Sequence, residues 1–559
     1  GAPVSYMSRV CVNAKSPLTN CIADSQAGGW FGPELKFAGF DGIVIKGKAD
    51  TPVYISINSG KVEIKDAKHI WGKDTGEADD IIKSEIGSKN ARIMSIGKAG
   101  ENLVKYACII NERRHANGRN GLGAVMGAKN LKAIAAKGDR NSIKYFDKET
   151  LGIMAREDVE TIKTDPLAKG LTELGTNDGY VFQNEFGGLP TRNFNTGSFD
   201  KYLDLAPEEL HKIYHKNETC YACAQRCKIT LRHEDPEGKM SVDPSYGGPE
   251  YETTSSIGSY VCNSDKIVLA KAHELCNRYG IDTISMGATI AFAMECYENG
   301  IIDERIDGQE IKFGNSDIII PLIEMTSNRE GIGNMMAEGS KIWAEALGDK
   351  AKAFSIEVKG NALPAHMPRQ KNSMALIYAV NPFGADHCST LTDFEYCEDV
   401  PEEERGFMRM LDLNFFGSFY GITKHKTKMV LYTQMYHGFI DSIGICIFSV
   451  FLTDPDRISR YIKAITGWDT SLFEFMKIGE RKVNMMKYFN WKHGIRTDDD
   501  SLPKRMFEAI PDGYTKDQKI NKEEFESAIK DYYDMAGWDI VESKPLPGKL
   551  KELDLEWLL

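Results

Sequence analysis

Three cysteines lie within eight consecutive residues, in the segment CYACAQRC, at Cys220, Cys223 and Cys227. Ferredoxins place the thiolates that bind an iron–sulfur cluster at similarly short spacings, such as C-x2-C-x2-C and C-x4-C-x2-C. A cubane cluster needs four thiolates, and a tight loop can supply three of them while a distant segment supplies the fourth. The C-x2-C-x3-C spacing of this chain therefore predicts an iron–sulfur redox centre.

Zinc is the alternative metal for such a group of thiols. Structural zinc sites usually combine two pairs of closely spaced ligands, and the chain contains no second C-x-x-C pair. The polar residues Gln225 and Arg226 stand between the cysteines, which argues against three cysteines that only fill a hydrophobic core. The iron–sulfur interpretation is favoured, and a structural zinc protein stays open as an alternative.

Two further segments contain residues suited to proton transfer. GPEYE places Glu250 and Glu252 soon after the cysteines, and NPFGADHC joins a turn to His387 and Cys388. Glutamate and histidine are residue types that serve as general acids and bases in enzymes. Each segment alone is a weak signal, but beside a cluster loop the two predict a redox site with a proton-handling Glu and His.

The glycine-rich segment GRNGLGAVMG, at 118–127, does not fit a dinucleotide-binding loop, because its spacing differs and no clear strand leads directly into it. Arg113, Arg114 and Arg119 lie nearby. Backbone N–H groups and guanidinium groups together can bind phosphate. The segment is therefore a candidate contact for some other phosphate-bearing cofactor.

The composition excludes several classes of protein. A chain of 559 residues exceeds a single hydrophobic core, so several domains are expected. A net charge of −12 without a basic segment argues against a nucleic-acid partner, and no apolar stretch is long enough to span a membrane. The first twenty residues do not resemble a signal peptide, and twelve irregularly spaced cysteines do not indicate a disulfide framework. We therefore expect a cytoplasmic protein with reduced thiols.

The elements that must position these residues are of two kinds. Up to about residue 140 the chain is strand-rich, with turn residues separating short β-branched segments at 42–48, 53–58 and 61–65. A helix near 75–87 and a strand at ARIMSIG complete this part of the prediction.

After Asp147 the apolar residues follow a helical period. One helix is predicted over 264–279, with Ser264 as its N-cap and Gly280 at its end, and a second, buried helix over 283–298. Asn521 is predicted to cap a third helix.

Ordered segments along nearly the whole chain resemble the tungsten-containing aldehyde ferredoxin oxidoreductase family, and the chain is identified as a member of it. The segments that carry this resemblance are KSPLTN (15–20), GGWFGPELKFAGFDGIVIKGKA (28–49), HIWGK (69–73), SIGKAGENLVKYA (95–107), GAVMGAKNLKAIA (123–135), CYACAQRC, GPEYE, YGIDTIS (279–285), PRQ before NPFGADH, DSIGICIF (441–448) and LPKR (502–505).

The resemblance implies an α+β protein of three domains. An N-terminal β-sheet base domain at 1–143 is expected to be followed by two mainly helical domains at 144–356 and 357–559, with the cofactor buried between them. The family pattern begins about sixty residues earlier than this chain, so either the sequence is truncated, which is favoured, or this member lacks the opening strands.

The resemblance also assigns site residues. The family's fourth cluster ligand lies in a D-x-x-G-L-C motif, which here reads DSIGIC and nominates Cys446, and the paired D-x-x-G-L-D motif reads NRYGID. The catalytic positions fall on Glu252 and His387. The implied cofactor contacts, which include positions where this chain departs from the family, are Arg9, Gln26, Gly28, His115, Ala116, Asn277, Ile281, Asp282, Asp441 and Ile445.

Several residues depart from the family pattern. Substituted cofactor-contact positions are Gln26 for Asn, His115 and Phe383 for Arg, Ser389 for Lys, and Asn277 for Asp. The positions where a Glu and a His bind an iron between subunits carry Ala270 and Ile320. A homodimer, if formed, is therefore expected to lack that iron.

The implied function is oxidation of aldehydes to carboxylic acids, or the reverse reaction, on a tungsten or molybdenum bis-pterin whose phosphates are bridged by magnesium. Electrons would leave through one 4Fe-4S cluster to ferredoxin or to a dedicated iron–sulfur subunit. Two alternatives stay open beside the zinc protein. One is low-potential reduction of an aromatic acyl-CoA thioester on the same scaffold, with Cys388 as an extra metal ligand, and the other is a non-catalytic electron-transfer subunit.

Overall fold

The computed structural model describes residues 1–451 and 454–559, with only the backbone described at 450 and 451. Strands dominate the first region and helices the rest, so the α+β prediction is confirmed. The strands of the first region are β1 (Val10–Lys15), β2 (Ile22–Ala27), β3 (Val53–Asn58), β4 (Lys61–Asp66), β5 (Arg92–Ser95), β6 (Ile109–Asn111), β7 (His115–Asn117) and β8 (Leu131–Lys137). Its helices are α1 (Phe31–Phe37), α2 (Thr75–Ile86), α3 (Lys98–Glu101) and α4 (Leu122–Ala128).

Six of these strands form one sheet in the order β4-β3-β8-β5-β6-β7, and β1 pairs with β2 as a separate antiparallel hairpin. The central strand β8 runs parallel to β3 and is buried over nearly its whole length. Asn117 joins the hairpin to the sheet, because its side-chain nitrogen donates to the carbonyls of Val10 and Ser25 at 3.2 and 2.8 Å. The open end of the hairpin is thereby fixed beside β7.

The segment 42–48 was predicted as a strand, and this is wrong. Its residues have no strand partner within the described chain, although Ile43 and Ile45 pack against the apolar cluster around β8 and α1. Val44 between them is 84% exposed. The three consecutive β-branched residues 43–45 favour a strand, but a ladder also needs a neighbouring strand with free backbone groups.

The rest of the described chain is mainly helical. Its helices are α5 (Lys148–Thr164), α6 (Pro166–Leu174), α7 (Tyr180–Glu185), α8 (Pro207–His211), α9 (Tyr251–Ser256), α10 (Lys266–Tyr279), α11 (Thr283–Glu298), α12 (Ile319–Asn328), α13 (Gly333–Met336), α14 (Ser340–Leu347), α15 (Asp349–Lys352), α16 (Asn372–Val380), α17 (Gly406–Met410), α18 (Lys424–Ser442), α19 (Pro455–Thr466), α20 (Leu472–Lys492), α21 (Lys522–Ala536) and α22 (Pro547–Glu552). Four short antiparallel hairpins lie among them: β9 (Tyr214–Glu218) with β10 (Lys228–Leu231), β11 (Arg305–Ile306) with β12 (Gln309–Glu310), β13 (Glu357–Val358) with β14 (Asn361–Ala362), and β15 (Trp538–Asp539) with β16 (Lys544–Pro545).

The helix predictions are confirmed with one change of cap. Helix α10 ends at Gly280, whose φ is 71°, but its N-cap is Asp265 rather than Ser264, because the Asp265 carboxylate accepts from two backbone N–H groups of the first turn. Helix α11 is buried along nearly its whole length, and Asn521 caps α21 as predicted.

The largest cluster of buried apolar side chains includes residues of α9, α10, α11, α12, α16, α18 and α21. Both predicted helical domains contribute to it, so the boundary between residues 356 and 357 stays a prediction. Within the described residues, no helix is both long enough and apolar enough to cross a membrane.

Candidate functional site

The three closely spaced thiols lie in the loop that joins β9 to β10. Ala222 and Arg226 adopt left-handed backbone conformations, with φ of 54° and 49°, so the chain turns twice within this short loop. Gln225 is buried although it is polar, because its amide donates to the Ala168 carbonyl at 2.5 Å and accepts from the Tyr6 hydroxyl at 2.6 Å. These bonds anchor the thiol loop to α6 and to the N-terminal segment.

The fourth predicted thiol comes from the turn that follows α18. Gly444 has a φ of 73°, a conformation that favours glycine, and its carbonyl accepts from the Arg9 N–H at 3.2 Å. The Cys446 N–H donates to the Tyr6 carbonyl at 2.8 Å, and the Arg9 guanidinium donates to the Cys446 Sγ at 3.1 Å. The DSIGIC motif is therefore docked on the N-terminal segment.

The four thiols influence one another. Burial raises the pKa of Cys223 to about 12, and the nearby thiols of Cys220 and Cys446 add to the shift. Burial also raises the pKa of Cys227, and Glu250, Cys446 and Cys220 raise it further. The structure thus brings together the four cysteines that the sequence predicted as one group.

The open end of the β1–β2 hairpin faces this group. Cys11 pairs with Gln26 and Val10 with Ala27, so Arg9 and Gly28 flank the last pair. A Cβ on Gly28 would stand 2.7 Å from the Cys220 Sγ, which explains why the hairpin carries glycine there. Gln26 and Gly28 therefore lie at the same end of the hairpin as Arg9, which contacts Cys446.

His115 and Ala116 lie on β7, the edge strand next to the hairpin. Ala116 is exposed, whereas His115 is buried, and its Nδ1 has no hydrogen-bond partner among the described residues. Burial lowers the pKa of His115 well below its usual value, and Lys228 and Arg114 lower it further. A neutral ring therefore stands where the family pattern has a guanidinium.

The motif NRYGID docks on the β region as DSIGIC does. The Gly280 carbonyl accepts from the Cys108 N–H at 2.9 Å, and the Asp282 N–H donates to the Tyr106 carbonyl at 3.2 Å. The Asp282 carboxylate caps α11 and lies 3.4 Å from the Arg119 Nε. Burial raises the pKa of Asp282, and Arg119 opposes that shift.

Other predicted cofactor contacts are partly occupied by protein partners. The Asn277 amide donates to the Tyr246 carbonyl at 2.8 Å. The Asp441 carboxylate lies 2.7 Å from the Lys482 Nζ. The side chains of Ile281 and Ile445 are buried, each beside its motif's glycine.

The glycine-rich segment has a packing role rather than a phosphate-loop geometry. A Cβ on Gly123 would stand 2.4 Å from the Cys108 carbonyl oxygen, and one on Gly127 would stand 1.9 Å from that of Gly100. Arg113 pairs with carboxylates of α2 instead of facing the cysteines. Among the three arginines near the segment, Arg119 lies beside Asp282 of the NRYGID motif.

The predicted catalytic residues meet across two elements. Glu252 lies in the first turn of α9, and its Oε2 accepts from the Ala365 N–H at 2.9 Å. Its Oε1 lies 3.6 Å from the His387 Nε2 and 3.4 Å from the Nε2 of His366, a residue that the sequence analysis missed. The two imidazole rings stack with centroids 4.8 Å apart.

The electrostatics keep this carboxylate ionised. Burial raises the pKa of Glu252, but His387, His366 and the Ala365 N–H together outweigh burial and lower it to about 2. Burial lowers the pKa of His366 to about 3. The site therefore presents a carboxylate beside a neutral His366 ring at neutral pH.

Glu250, the other carboxylate of GPEYE, serves the thiol loop instead. Its Oε1 lies 2.5 Å from the Nζ of Lys228, which directly follows Cys227, and its Oε2 accepts from Thr176 at 2.6 Å. Glu250 and Glu252 are two residues apart at the start of α9, so this turn connects the cysteine group to the predicted catalytic pair.

The described part of the chain contains two groups of three His, Cys, Asp or Glu side chains that could hold a metal ion. In each group the possible ligand atoms lie within 4.8 Å of one another. The first is the Glu252, His366 and His387 group, and the second is Asp386, His387 and Cys388. Neither contains the four cysteines. Burial raises the pKa of Cys388 well above its usual value, and Asp386 adds to the shift, so this thiol is protonated in the chain alone.

Four residues that contact the predicted site were missed because their signals are not local. His366 contacts Glu252, and Lys371 contacts His366. His437 contacts the Cys388 carbonyl, and Lys482 contacts Asp441. The only sequence signal for any of them is the segment HMPRQK, in which a histidine and a lysine stand five residues apart.

Comparison with known families gives two matches that together cover most of the chain. Residues 1–138 match the family described as aldehyde ferredoxin oxidoreductase, N-terminal domain, and residues 154–555 match its domains 2 and 3.

Similar proteins include two described as tungsten-containing aldehyde ferredoxin oxidoreductase. The Pyrococcus horikoshii protein is 38% identical over 98% of this chain and 87% of its own length, and the Thermococcus kodakarensis protein is 38% identical over 95% and 84%. A Pyrococcus furiosus protein described as an aliphatic sulfonate oxidoreductase, WOR-like subunit, is 30% identical over 95% of this chain and 83% of its own length.

Among solved structures, the active-site complex BamBC of benzoyl coenzyme A reductase with 1,5-dienoyl-CoA has the same fold. The TM-score is 0.82 at 24% identity, over 100% of this chain and 87% of that one.

Proposed function

The chain belongs to the aldehyde ferredoxin oxidoreductase family, and we propose that it oxidises aldehydes to carboxylic acids, or catalyses the reverse reaction, and passes the electrons to an iron–sulfur protein. One observation carries the proposal: the Glu252 carboxylate and the His387 ring meet at 3.6 Å, on the helix whose Glu250 supports the cysteine loop. An electron-transfer subunit without catalysis needs no such pair.

A tungsten or molybdenum bis-pterin with magnesium on its phosphates fits the residues present and supplies two-electron redox chemistry when bound. Buried polar atoms without a hydrogen-bond partner in the described chain support this fit, since a bound polar group can satisfy them. They are His115 Nδ1, Arg119 Nε, Glu252 Oε1, His387 Nδ1 and His437 Nε2. The residues that would hold the group are Arg9, Gln26, Gly28, His115, Ala116, Asn277, Ile281, Asp282, Asp441 and Ile445.

A 4Fe-4S cluster on Cys220, Cys223, Cys227 and Cys446 is supported over zinc by the spread of the thiols. Sulfurs bound to one tetrahedral zinc at about 2.3 Å lie about 3.8 Å apart. Among the residues that the structure describes, no three of these four cysteines have their sulfur atoms within 4.8 Å of one another. Such wider spacing suits a cubane, whose irons each bind one thiolate.

The residues supply proton chemistry and orientation. Oxidation of an aldehyde by water gives a carboxylic acid, two electrons and two protons. The ionised Glu252 can accept a proton from the water that attacks the aldehyde carbon. His387 can donate a hydrogen bond to the aldehyde oxygen as negative charge develops there.

The path for electrons follows the cysteine loop. Cys220 packs against Gly28 at the hairpin end, whereas Ala222 and Arg226 of the same loop are exposed. The proposed acceptor is ferredoxin or a dedicated iron–sulfur subunit, which would approach the exposed part of the loop.

Three further expectations remain proposals. Of the domain boundaries 1–143, 144–356 and 357–559, the first is supported by the separate family matches to residues 1–138 and 154–555, and the boundary between 356 and 357 rests on the resemblance alone. A cytoplasmic location is proposed because the cluster thiols must stay reduced. A homodimer would lack an interface iron, because Ala270 is buried in the chain's own core and neither Ala270 nor Ile320 offers a ligand.

The test is metal analysis and an aldehyde assay on anaerobically purified protein. We expect about one tungsten or molybdenum and about four irons per chain. Glu252→Gln is expected to keep both metals and lose turnover, whereas Glu237→Gln, at an exposed residue, keeps turnover. Iron without tungsten or molybdenum, or an active Glu252→Gln variant, would contradict the proposal.

A further inference from the structure

His366 lies between Glu252 and Lys371. Its Nε2 is 3.4 Å from the Glu252 Oε1, and its Nδ1 is 2.9 Å from the Lys371 Nζ. Lys371 is 1% exposed, and its ammonium also donates to the Gln183 Oε1 at 3.1 Å. The reaction outlined above gives no role to either His366 or Lys371.

The donor inventory fixes the proton on the imidazole ring. An ammonium group has N–H donors and no acceptor, so Lys371 donates and Nδ1 accepts. A neutral imidazole then carries its proton on Nε2. Nε2 lies 3.4 Å from the Glu252 Oε1, and this buried oxygen has no hydrogen-bond partner in the described chain, so the Nε2–H stands next to an oxygen that lacks a donor.

We propose that Lys371 and His366 are a positioning pair for the Glu252 carboxylate: Lys371 holds the imidazole in its Nε2–H form, and that N–H orients and stabilises the base. This inference rests on the proposed function, because it concerns the base of that reaction. The pair keeps Glu252 unprotonated and aimed, so that it can accept one of the two protons released when an aldehyde and water give an acid and two electrons.

The backbone around His366 is built to hold this arrangement. The Tyr251 hydroxyl donates to the Ala365 carbonyl at 2.6 Å, and the Tyr378 hydroxyl donates to the His366 carbonyl at 3.2 Å. The Ala365 N–H donates to the other Glu252 oxygen at 2.9 Å. Both carboxylate oxygens therefore face groups of one clamped loop.

The arrangement predicts that kcat falls at alkaline pH, when Lys371 loses its proton. Burial lowers the pKa of Lys371 to about 8, although the charges of Glu395, Asp393 and Glu252 oppose the shift. His366 and Gln183 contact its Nζ, and the Phe394 ring centroid lies 5.2 Å away. Once Lys371 loses its proton it can accept from Nδ1–H, and the Nε2–H form is no longer enforced.

The test uses the holoenzyme with Lys371→Met, Lys371→Arg and, as a control, Lys350→Met at an exposed lysine. The pH profile of kcat for aldehyde oxidation is measured with a viologen acceptor, beside tungsten and iron content. We expect Lys371→Met to lose on the order of tenfold to a hundredfold in kcat, with little change in KM. Lys371→Arg should lose the alkaline limb near pH 8, because a guanidinium stays charged. An unchanged profile in both variants with normal metal content would overturn the inference.

A second readout needs no turnover and separates this inference from the proposed function. In protein labelled with 15N-histidine, the His366 ring is identified by its absence in His366→Phe. We expect Nε2 protonated and Nδ1 unprotonated, with the pattern lost in Lys371→Met. A wild-type ring protonated on Nδ1 would contradict the inference, whether or not the protein oxidises aldehydes.

Discussion

The guanidinium of Arg9 donates a hydrogen bond to the Sγ of Cys446 at 3.1 Å, across 437 positions of sequence. The contact joins the strand end at the base of the hairpin to the fourth predicted cluster ligand. The charge of Cys446 raises the pKa of Arg9, so the guanidinium stays cationic at any working pH. A fixed positive charge therefore lies against one thiolate of the proposed cluster.

Replacing Arg9 with Met is expected to make the cluster harder to reduce. A neighbouring cation favours the more negative, reduced cluster, and a hydrogen bond to sulfur acts in the same direction. We expect the midpoint potential to fall by on the order of tens of millivolts, measured by redox titration with EPR detection. Arg9→Lys, which keeps the charge, should fall less. An unchanged potential in Arg9→Met with four irons retained would contradict this role.

Replacing Gly28 with Ala is expected to disturb the cluster without unfolding the chain. The added Cβ would stand 2.7 Å from the Cys220 Sγ, too close for the thiolate to keep its position. We expect iron per chain to fall by about half or more, measured in anaerobically purified protein. Gly42→Ala is the matched control, because a Cβ there meets nothing within 4 Å. Full iron loading in Gly28→Ala would show that the hairpin end yields to the thiol.

The sequence could predict the cysteine group because its spacing is local, and motif resemblance added Cys446. The helix ends were equally predictable, because caps and glycines act within a few residues. The predicted cap of α10 was one residue off, because Ser and Asp are both good N-cap residues and the sequence alone does not choose between neighbours. In the structure Asp265, not Ser264, accepts hydrogen bonds from the first-turn N–H groups.

The sequence could not predict contacts made by tertiary packing. His366 meets Glu252 only because the loop after β14 folds over α9, more than a hundred residues away. The strand prediction for 42–48 failed for the related reason that a β-branched run favours an extended backbone but does not identify a partner strand. The cofactor contacts assigned by resemblance stay predictions, although the structure gathers several of them at the hairpin end and the two glycine turns.

Replacing Lys482 with Met is expected to destabilise the protein in a pH-dependent way. The Lys482 Nζ lies 2.7 Å from both the Asp24 Oδ2 of β2 and the Asp441 Oδ2 of α18. The side chains of Lys482 and Asp441 are 15% and 27% exposed, so removing the cation should cost about 1–3 kcal/mol, less than in a fully buried pair, because the two carboxylates are left uncompensated. We expect this loss at pH 8, measured as the change in the chemical denaturation midpoint.

The sign of the pH effect follows from Asp441. Burial raises the pKa of Asp441 and Lys482 opposes that shift, so the Lys482→Met variant should have a higher native pKa still. Its native state then binds more protons than its unfolded state, and stability rises as pH falls. The destabilisation relative to wild type should therefore shrink between pH 8 and pH 5. Lys482→Arg, which keeps the cation, should show little of this trend. An equal loss of stability at both pH values would mean that Lys482 acts by packing rather than by its charge.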